Sequence, residues 1–171
     1  MWKESLNQFS CKEDSDITDF LANKALEYEK RDRARTYIYF DQAYLEEMDE
    51  LKVISYFSIA LKTIKIPESL NLSKNLKKKL GNLSDKDNNI VVYLIGQLGR
   101  DSGYNAGTIS GKQMLEDCYT LIESAREVMG GRIILLECKP HPRLCNFYES
   151  EGYIDITEDE DGLRQYIKFI S

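Results

Sequence analysis

Hydrophobic and polar positions change period several times along the chain, and each change predicts an element. Ile17, Phe20, Leu21, Ala25, Leu26 and Tyr28 recur at helical spacing over about 15–31, with Asp16 placed to cap the start. The charged run RDRAR follows as a solvated connector. RTYIYFD at 35–41 is aromatic and β-branched, which predicts a strand. Residues 41–50 are acidic, and AYLEEMD predicts a short helix or turn. Leu51–Ile66 predicts a long strand ended by Pro67. Ser69–Leu80 predicts a short basic helix that stops at Gly81, and 82–89 a polar loop.

The second half carries stronger patterns. IVVYLIGQLGR at 90–100 is a continuous apolar run, as in a central strand covered on both faces. The loop DSGYNAGTISG leads into a helix over about 111–129, with Leu115, Cys118, Tyr119, Ile122 and Ala125 as its buried stripe. Gly130 and Gly131 end it. RIILLEC at 132–138 is a second buried strand. Pro140, His141 and Pro142 precede a short helix over 143–151, closed by Gly152. Strands at 153–156 and 164–170 flank an acidic loop. Strands interleaved with helices predict one α/β, or α+β, layered domain over 1–171, its mixed sheet covered on both faces.

Composition narrows the function classes. Of 171 residues, 42% are hydrophobic and 30% charged, which excludes a mostly disordered chain. A net charge of -6 argues against a general nucleic-acid binder. One histidine argues against chemistry that needs two, and no metal site is expected. Cys11, Cys118, Cys138 and Cys145 form no CxxC pair, so free thiols in a reducing cytoplasm are expected. The polar start carries no signal-peptide pattern. The run Ile90–Ile95 is too short to span a bilayer, so no membrane partner is expected either.

The most informative stretch is Val91–Lys112. A buried strand runs into a loop rich in small residues, Gly103, Ala106, Gly107, Ser110 and Gly111, which opens a helix. Amides at a helix start cradle anions, and small residues let a ligand approach the backbone. Many strand–helix turns hold glycine for steric reasons alone, and this loop is neither a P-loop nor a GxGxxG fingerprint.

About thirty residues on, RIILLECKPHPRLCNFYESEGYIDI contains Asn146-Phe147-Tyr148 followed by Gly152-Tyr153. From Ile90 to Ile156 the chain resembles the GNAT superfamily of acyl-CoA-dependent N-acetyltransferases. Those proteins share a strand, a pyrophosphate loop, a helix, a strand and a short helix ending N/A-x-x-F-Y-x-x-x-G-F/Y. The N-terminal part, with FSCKEDSDITDFLANKAL and ISYFSIAL, is similar to the branch holding the acetyltransferase toxins of bacterial toxin–antitoxin pairs. There are departures. Ala106, Thr108 and Ser110 stand at the loop's glycine positions in an ungapped alignment. With one inserted residue, Gly107 and Gly111 match and Ile109 takes the middle glycine. Lys12 follows Cys11 where that branch often has glycine.

The resemblance implies a mostly antiparallel sheet whose two central strands, 90–100 and 132–138, are neighbours. It implies acetyl-CoA as donor and a primary amine as acceptor. The cofactor would meet Gln97, Leu98, Gly99, Gly103, Tyr104, Asn105, Ala106, Gly107, Thr108, Ile109, Ser110, Gly111 and Asn146. Amides of Leu98 and Gly99 would stabilise the oxyanion. Tyr148 would protonate the leaving thiolate, since an unperturbed tyrosine stays protonated to pH ~10; otherwise it is a core aromatic. Glu137 is the candidate general base, or else part of an ion pair, with Asp41 and Asp101 as weaker bases. His141 is expected to be exposed and non-catalytic, and Cys138 and Cys145 to be core residues. KNLKKKL with Lys30, Arg31, Arg33 and Arg35 is either a solvated face or an RNA dock.

Three functions remain open from sequence. One is an N-acetyltransferase of unknown acceptor. Another is a toxin that acetylates aminoacyl-tRNA, with an antitoxin protein as partner. The third is a CoA-binding module without turnover. A homodimer is compatible with each.

Overall fold

The computed structural model describes residues 2–66, 72–158 and 162–170. The polar start, for which no element was predicted, forms a helix, α1 (Trp2–Gln8). The next helical stretch is continuous over three pieces: α2 (Ser15–Asp19), a π-helical turn (Phe20–Lys24) and α3 (Ala25–Lys30). Its cap is Asp14 rather than Asp16, with Asp14 Oδ1 accepting from the Asp16 amide at 3.0 Å. A capping residue must precede the first helical turn, and Asp16 already lies inside it.

The remaining elements are β1 (Arg35–Phe40), α4 (Gln42–Met48), β2 (Val53–Lys65), α5 (Lys74–Gly81), β3 (Asn89–Arg100) and α6 (Gly111–Met129). They are followed by β4 (Ile133–Cys138), α7 (Pro142–Ser150), β5 (Ile154–Asp155) and β6 (Arg164–Phe169). The acidic stretch after β1 becomes α4 because Asp41 caps it, accepting from the Tyr44 amide at 3.0 Å. Helix α5 starts at Lys74, with Ser73 as its cap. Pro67 and positions 69–71 of the predicted basic helix lie outside the described residues, as do 159–161 of the acidic loop.

The six strands form one sheet in the order β1-β2-β3-β4-β6-β5. The sheet is mostly antiparallel, and β3 and β4 are neighbours as expected. Pairs β1–β2, β4–β6 and β5–β6 are antiparallel. The β1–β2 ladder slips by one residue between Tyr39 and Phe40, a bulge in the long strand.

The packing divides the chain into two compact units, 1–60 with 95–122 and 61–94 with 123–171. The first is built on aromatic contacts. Leu6, Phe9, Phe20, Leu21, Ala25, Val53 and Tyr56 form its core. Phe9 meets Tyr56 edge-on at 5.3 Å, and Phe20 stacks on Tyr56 at 6.3 Å. The Tyr56 hydroxyl donates to the Ile17 carbonyl, which satisfies its buried polar end. The second unit has an aliphatic core of Ile64, Leu80, Ile90, Val92, Ile133, Leu135, Ile156 and Ile167. Its turn into β4 needs glycine: Gly131 sits at φ +100, and a Cβ there would lie 2.8 Å from Tyr93. Among the described residues no helix is long and apolar enough to cross a membrane.

Candidate active site

In the first unit, the end of β3 runs through a loop at 101–110 into α6. Two Asx turns shape this loop. Asp101 Oδ1 accepts from the Gly103 amide at 2.7 Å, and Asn105 Oδ1 from the Gly107 amide at 2.8 Å. The Tyr104 and Thr108 amides close the same turns onto the carbonyls of Asp101 and Asn105. Four amides of the predicted cradle are therefore engaged locally. Ser110 caps α6, its Oγ accepting from the Gln113 amide at 3.1 Å. Among the described residues, the amides of Asn105, Ala106, Ile109, Ser110 and Gly111 have no intramolecular acceptor.

Three groups hold the loop. Arg100 binds both ends, with Nε on the Tyr104 carbonyl at 3.2 Å and Nη1 on the Ile109 carbonyl at 2.9 Å. Asp101 Oδ2 accepts from the Ser10 amide at 2.7 Å, and the Ser102 amide donates to the Ser10 carbonyl at 2.8 Å. The Tyr104 hydroxyl donates to Asp41 Oδ2 at 2.9 Å. Burial, then the bond to Asp41, pushes the Tyr104 hydroxyl up to about 12. Bonds from the Tyr44 amide and from Tyr104 hold the Asp41 carboxyl below its usual range. A raised folded-state value means that the Tyr104 contribution is complete below pH ~10 and is lost as pH climbs through about 12. Replacing Tyr104 by Phe is expected to flatten that alkaline limb, as read by unfolding midpoints from about pH 9 to about pH 12. An unchanged slope would remove the role given to this bond.

Before the loop, Gln97 is half-buried and its Oε1 is enclosed without a hydrogen-bond partner among the described residues. Leu98 is half-buried and Gly99 buried. Gly99 has a packing reason of its own, because a Cβ there would lie 2.4 Å from Ile17 Cγ2.

The second unit holds the remaining candidates. Tyr148, on α7, is 4% exposed and sits 5.9 Å from both Tyr153 and Tyr166, and 5.4 Å from Phe147. Asn146 is exposed on the same helix. Glu137, on β4, accepts from Lys62 Nζ at 2.7 and 2.8 Å and from Gln165 Nε2 at 2.7 Å. Three of its about four acceptor sites are thus taken, two of them by an ammonium group, and this geometry supports the ion pair over a free base. His141 is exposed and caps α7, accepting from the Arg143 amide at 3.3 Å. Cys138 is buried, and burial followed by its contact with Cys145 pushes its thiol up to about 12, which leaves it a poor nucleophile. Arg31 pairs with Glu27, Arg35 with Asp32 and Glu29, and Arg33 covers the Tyr28 ring, so these arginines are already occupied. Among the described residues no three His, Cys, Asp or Glu side chains are placed to hold a metal.

Sequence reasoning missed the loop's supports, Arg100, Asp101 and the Asp41–Tyr104 bond. The spacings Asp101-x-Gly103 and Asn105-x-Gly107 were a usable signal, since Asx turns close on the amide two residues on. Arg100 left no such mark.

The donor set suits acetyl-CoA. Five untaken amides beside a helix start suit a pyrophosphate, and the enclosed Gln97 Oε1 needs an N–H such as an amide of the pantetheine arm.

No family model matches the chain, and no curated protein matches it. Solved structures do. A tyrosine-to-phenylalanine mutant of the AtaT toxin, bound to the C-terminus of the antitoxin AtaR and acetyl-CoA, is 16% identical with a TM-score of 0.69. That match covers 96% of this chain and 85% of that one. AtaT complexed with acetyl-methionyl-tRNAfMet is 19% identical, TM-score 0.71, covering 94% and 85%. A tyrosine-to-phenylalanine mutant of KacT is 16% identical, TM-score 0.71, covering 95% and 86%. The likeness at these identities is one of fold, and the chain folds as AtaT and KacT do, in the layered GNAT arrangement.

Proposed function

We propose that the whole chain, 1–171, acts as one N-acetyltransferase domain that moves an acetyl group from acetyl-CoA to the α-amino group of an aminoacyl-tRNA. The observation that carries this reading is the strand–loop–helix of 97–111, with its untaken amides and enclosed Gln97 oxygen. It occurs in a fold shared with toxins captured with acetyl-CoA and with acetyl-methionyl-tRNAfMet. An antitoxin protein is the partner this reading implies, as AtaR is for AtaT.

Acetyl-CoA supplies the acetyl group as an activated thioester. The amides of Asn105, Ala106, Ile109, Ser110 and Gly111 bind its pyrophosphate, with the helix dipole adding to the attraction. Gln97 Oε1 accepts from the pantetheine arm. Gly103, Tyr104, Gly107 and Thr108 shape the loop through their turns, and Asn146 contributes a side-chain amide from α7. The Leu98 and Gly99 amides would face the thioester carbonyl and supply the donors of an oxyanion hole. Tyr148 Oη would hold the proton that the leaving thiolate needs. With Glu137 held by Lys62 and Gln165, water takes the proton from the amine.

Acetyl-CoA is expected to raise the unfolding midpoint in proportion to the logarithm of its concentration, because a ligand bound only by the native state stabilises it. Replacing Arg100 by Ala should weaken that shift by releasing both ends of the loop. Equal shifts with the variant would remove the role given to Arg100, and no shift with either protein at millimolar ligand would remove the cofactor assignment. Saturable binding with no thiol release over a panel of amines and charged tRNAs would leave a CoA-binding module instead.

A further inference from the structure

In the first unit β1 lies at an edge of the sheet. Its outward groups can be read from one contact. The Thr36 amide donates to Glu29 Oε2 at 3.0 Å rather than into the ladder. In an antiparallel pair the bonded positions alternate, so the amides and carbonyls of Ile38 and Phe40 face the same open side. The Asp41 amide, which donates to the Lys52 carbonyl at 2.9 Å, keeps that alternation. Sheet edges are normally blunted by lysine, proline or inward charge. Residues 36–40, TYIYF, carry none of these, and Tyr37 and Phe40 are 37% and 44% exposed.

Beside this edge lies a groove of about 330 Å³, walled by Tyr37, Tyr39, Phe57 and Leu121 with Asp117 among them. Tyr37 stacks on Phe57 at 5.2 Å. The Tyr39 hydroxyl donates to Asp117 Oδ2, and Gln113 Nε2 donates to Oδ1 at 3.2 Å. A carboxylate offers about four acceptor sites, so two are left. Among the described residues no lysine or arginine pairs with Asp117.

We propose that β1 is a docking edge for an extended segment of a partner protein, one of whose basic side chains enters this groove and pairs with Asp117. Strand addition supplies main-chain bonds to Ile38 and Phe40. Alternation then sets every second side chain of the added strand beside Tyr37 and Tyr39, on the groove face. A cation there meets ring faces and a carboxylate together. A second copy of this chain fits worse. The basic residue of its own β1 is Arg35, already bound to Asp32 at 2.6 Å and to Glu29 at 3.4 Å. The site is independent of the acetyl-CoA assignment.

The test is selection of a random twelve-residue peptide library displayed on phage against the full chain, followed by NMR of the labelled protein with each selected peptide. The expected winners carry Lys or Arg flanked two residues away by β-branched or aromatic residues, and they shift the amides of 36–40. Their affinity should fall about tenfold for Asp117→Asn, the size of one charge-assisted bond. Glu in place of the basic residue should abolish binding. No enrichment of basic residues, shifts confined elsewhere, or an unchanged affinity for Asp117→Asn would each overturn the proposal. So would concentration-dependent self-association that the selected peptide does not compete away.

Discussion

Replacing Tyr148 by phenylalanine is expected to lower turnover ~10²–10⁴-fold, the usual contribution of a general acid, while acetyl-CoA affinity stays nearly intact. The ring keeps its contacts with Phe147, Tyr153 and Tyr166, so α7 stays packed. Losing one buried hydroxyl costs about 1 kcal/mol of stability, which is small beside the expected kinetic loss. The two effects separate in one experiment: thermal midpoints with and without acetyl-CoA, and acetyl transfer measured on the same preparation. Expression that arrests growth should also be relieved by this change. A variant within about threefold of the parent rate would make Tyr148 a core aromatic, as its 4% exposure alone would suggest.

A second large effect is expected where α2 meets β3, the strand that leads into the loop. A methyl at position 99 would lie 2.4 Å from Ile17 Cγ2, far inside contact distance, while Ile17 Cβ is 3.6 Å away and Cδ1 3.8 Å. Gly99→Ala must therefore push α2 off the strand, at the ~1–3 kcal/mol typical of overpacking. The same change disturbs the amide proposed to face the thioester oxygen, so activity should fall along with stability. Leucine has no methyl branching at Cβ, so Ile17→Leu should recover much of the loss in the double variant. Ile17→Val keeps such a methyl and should recover little. Unfolding midpoints of the two double variants decide it. Equal stability of Gly99→Ala and the parent would remove the steric account.

Strands β1 to β4 and helix α6 were legible because their residues change period sharply. IVVYLIGQLGR is continuously apolar, and the helix after it repeats Leu115, Cys118 and Ile122 on one face. Helix α1 was not, since its burial rests on Leu6 and the following Phe9, too few apolar positions to show a period. The cap was misread by two residues because Asp14 and Asp16 are chemically alike and only the helix start distinguishes them. Around Tyr148, the pattern of Asn146, Phe147, Gly152 and Tyr153 marked the short helix that carries it. An ion pair at Glu137 was one of the two readings of that residue, but its partner Lys62 was not legible, because it lies 75 residues away. The Ile17–Gly99 contact is of the same kind: a close approach between distant segments leaves no local pattern.

The central claim is acetyl transfer to an amino group carried by tRNA. Incubating the chain with radiolabelled acetyl-CoA and total aminoacylated tRNA, then counting acid-precipitable label, tests it most directly. The account predicts label in the tRNA fraction that disappears when the tRNA is deacylated beforehand, and that falls with Tyr148→Phe. Label absent from every charged tRNA, under conditions where acetyl-CoA raises the unfolding midpoint, would contradict it.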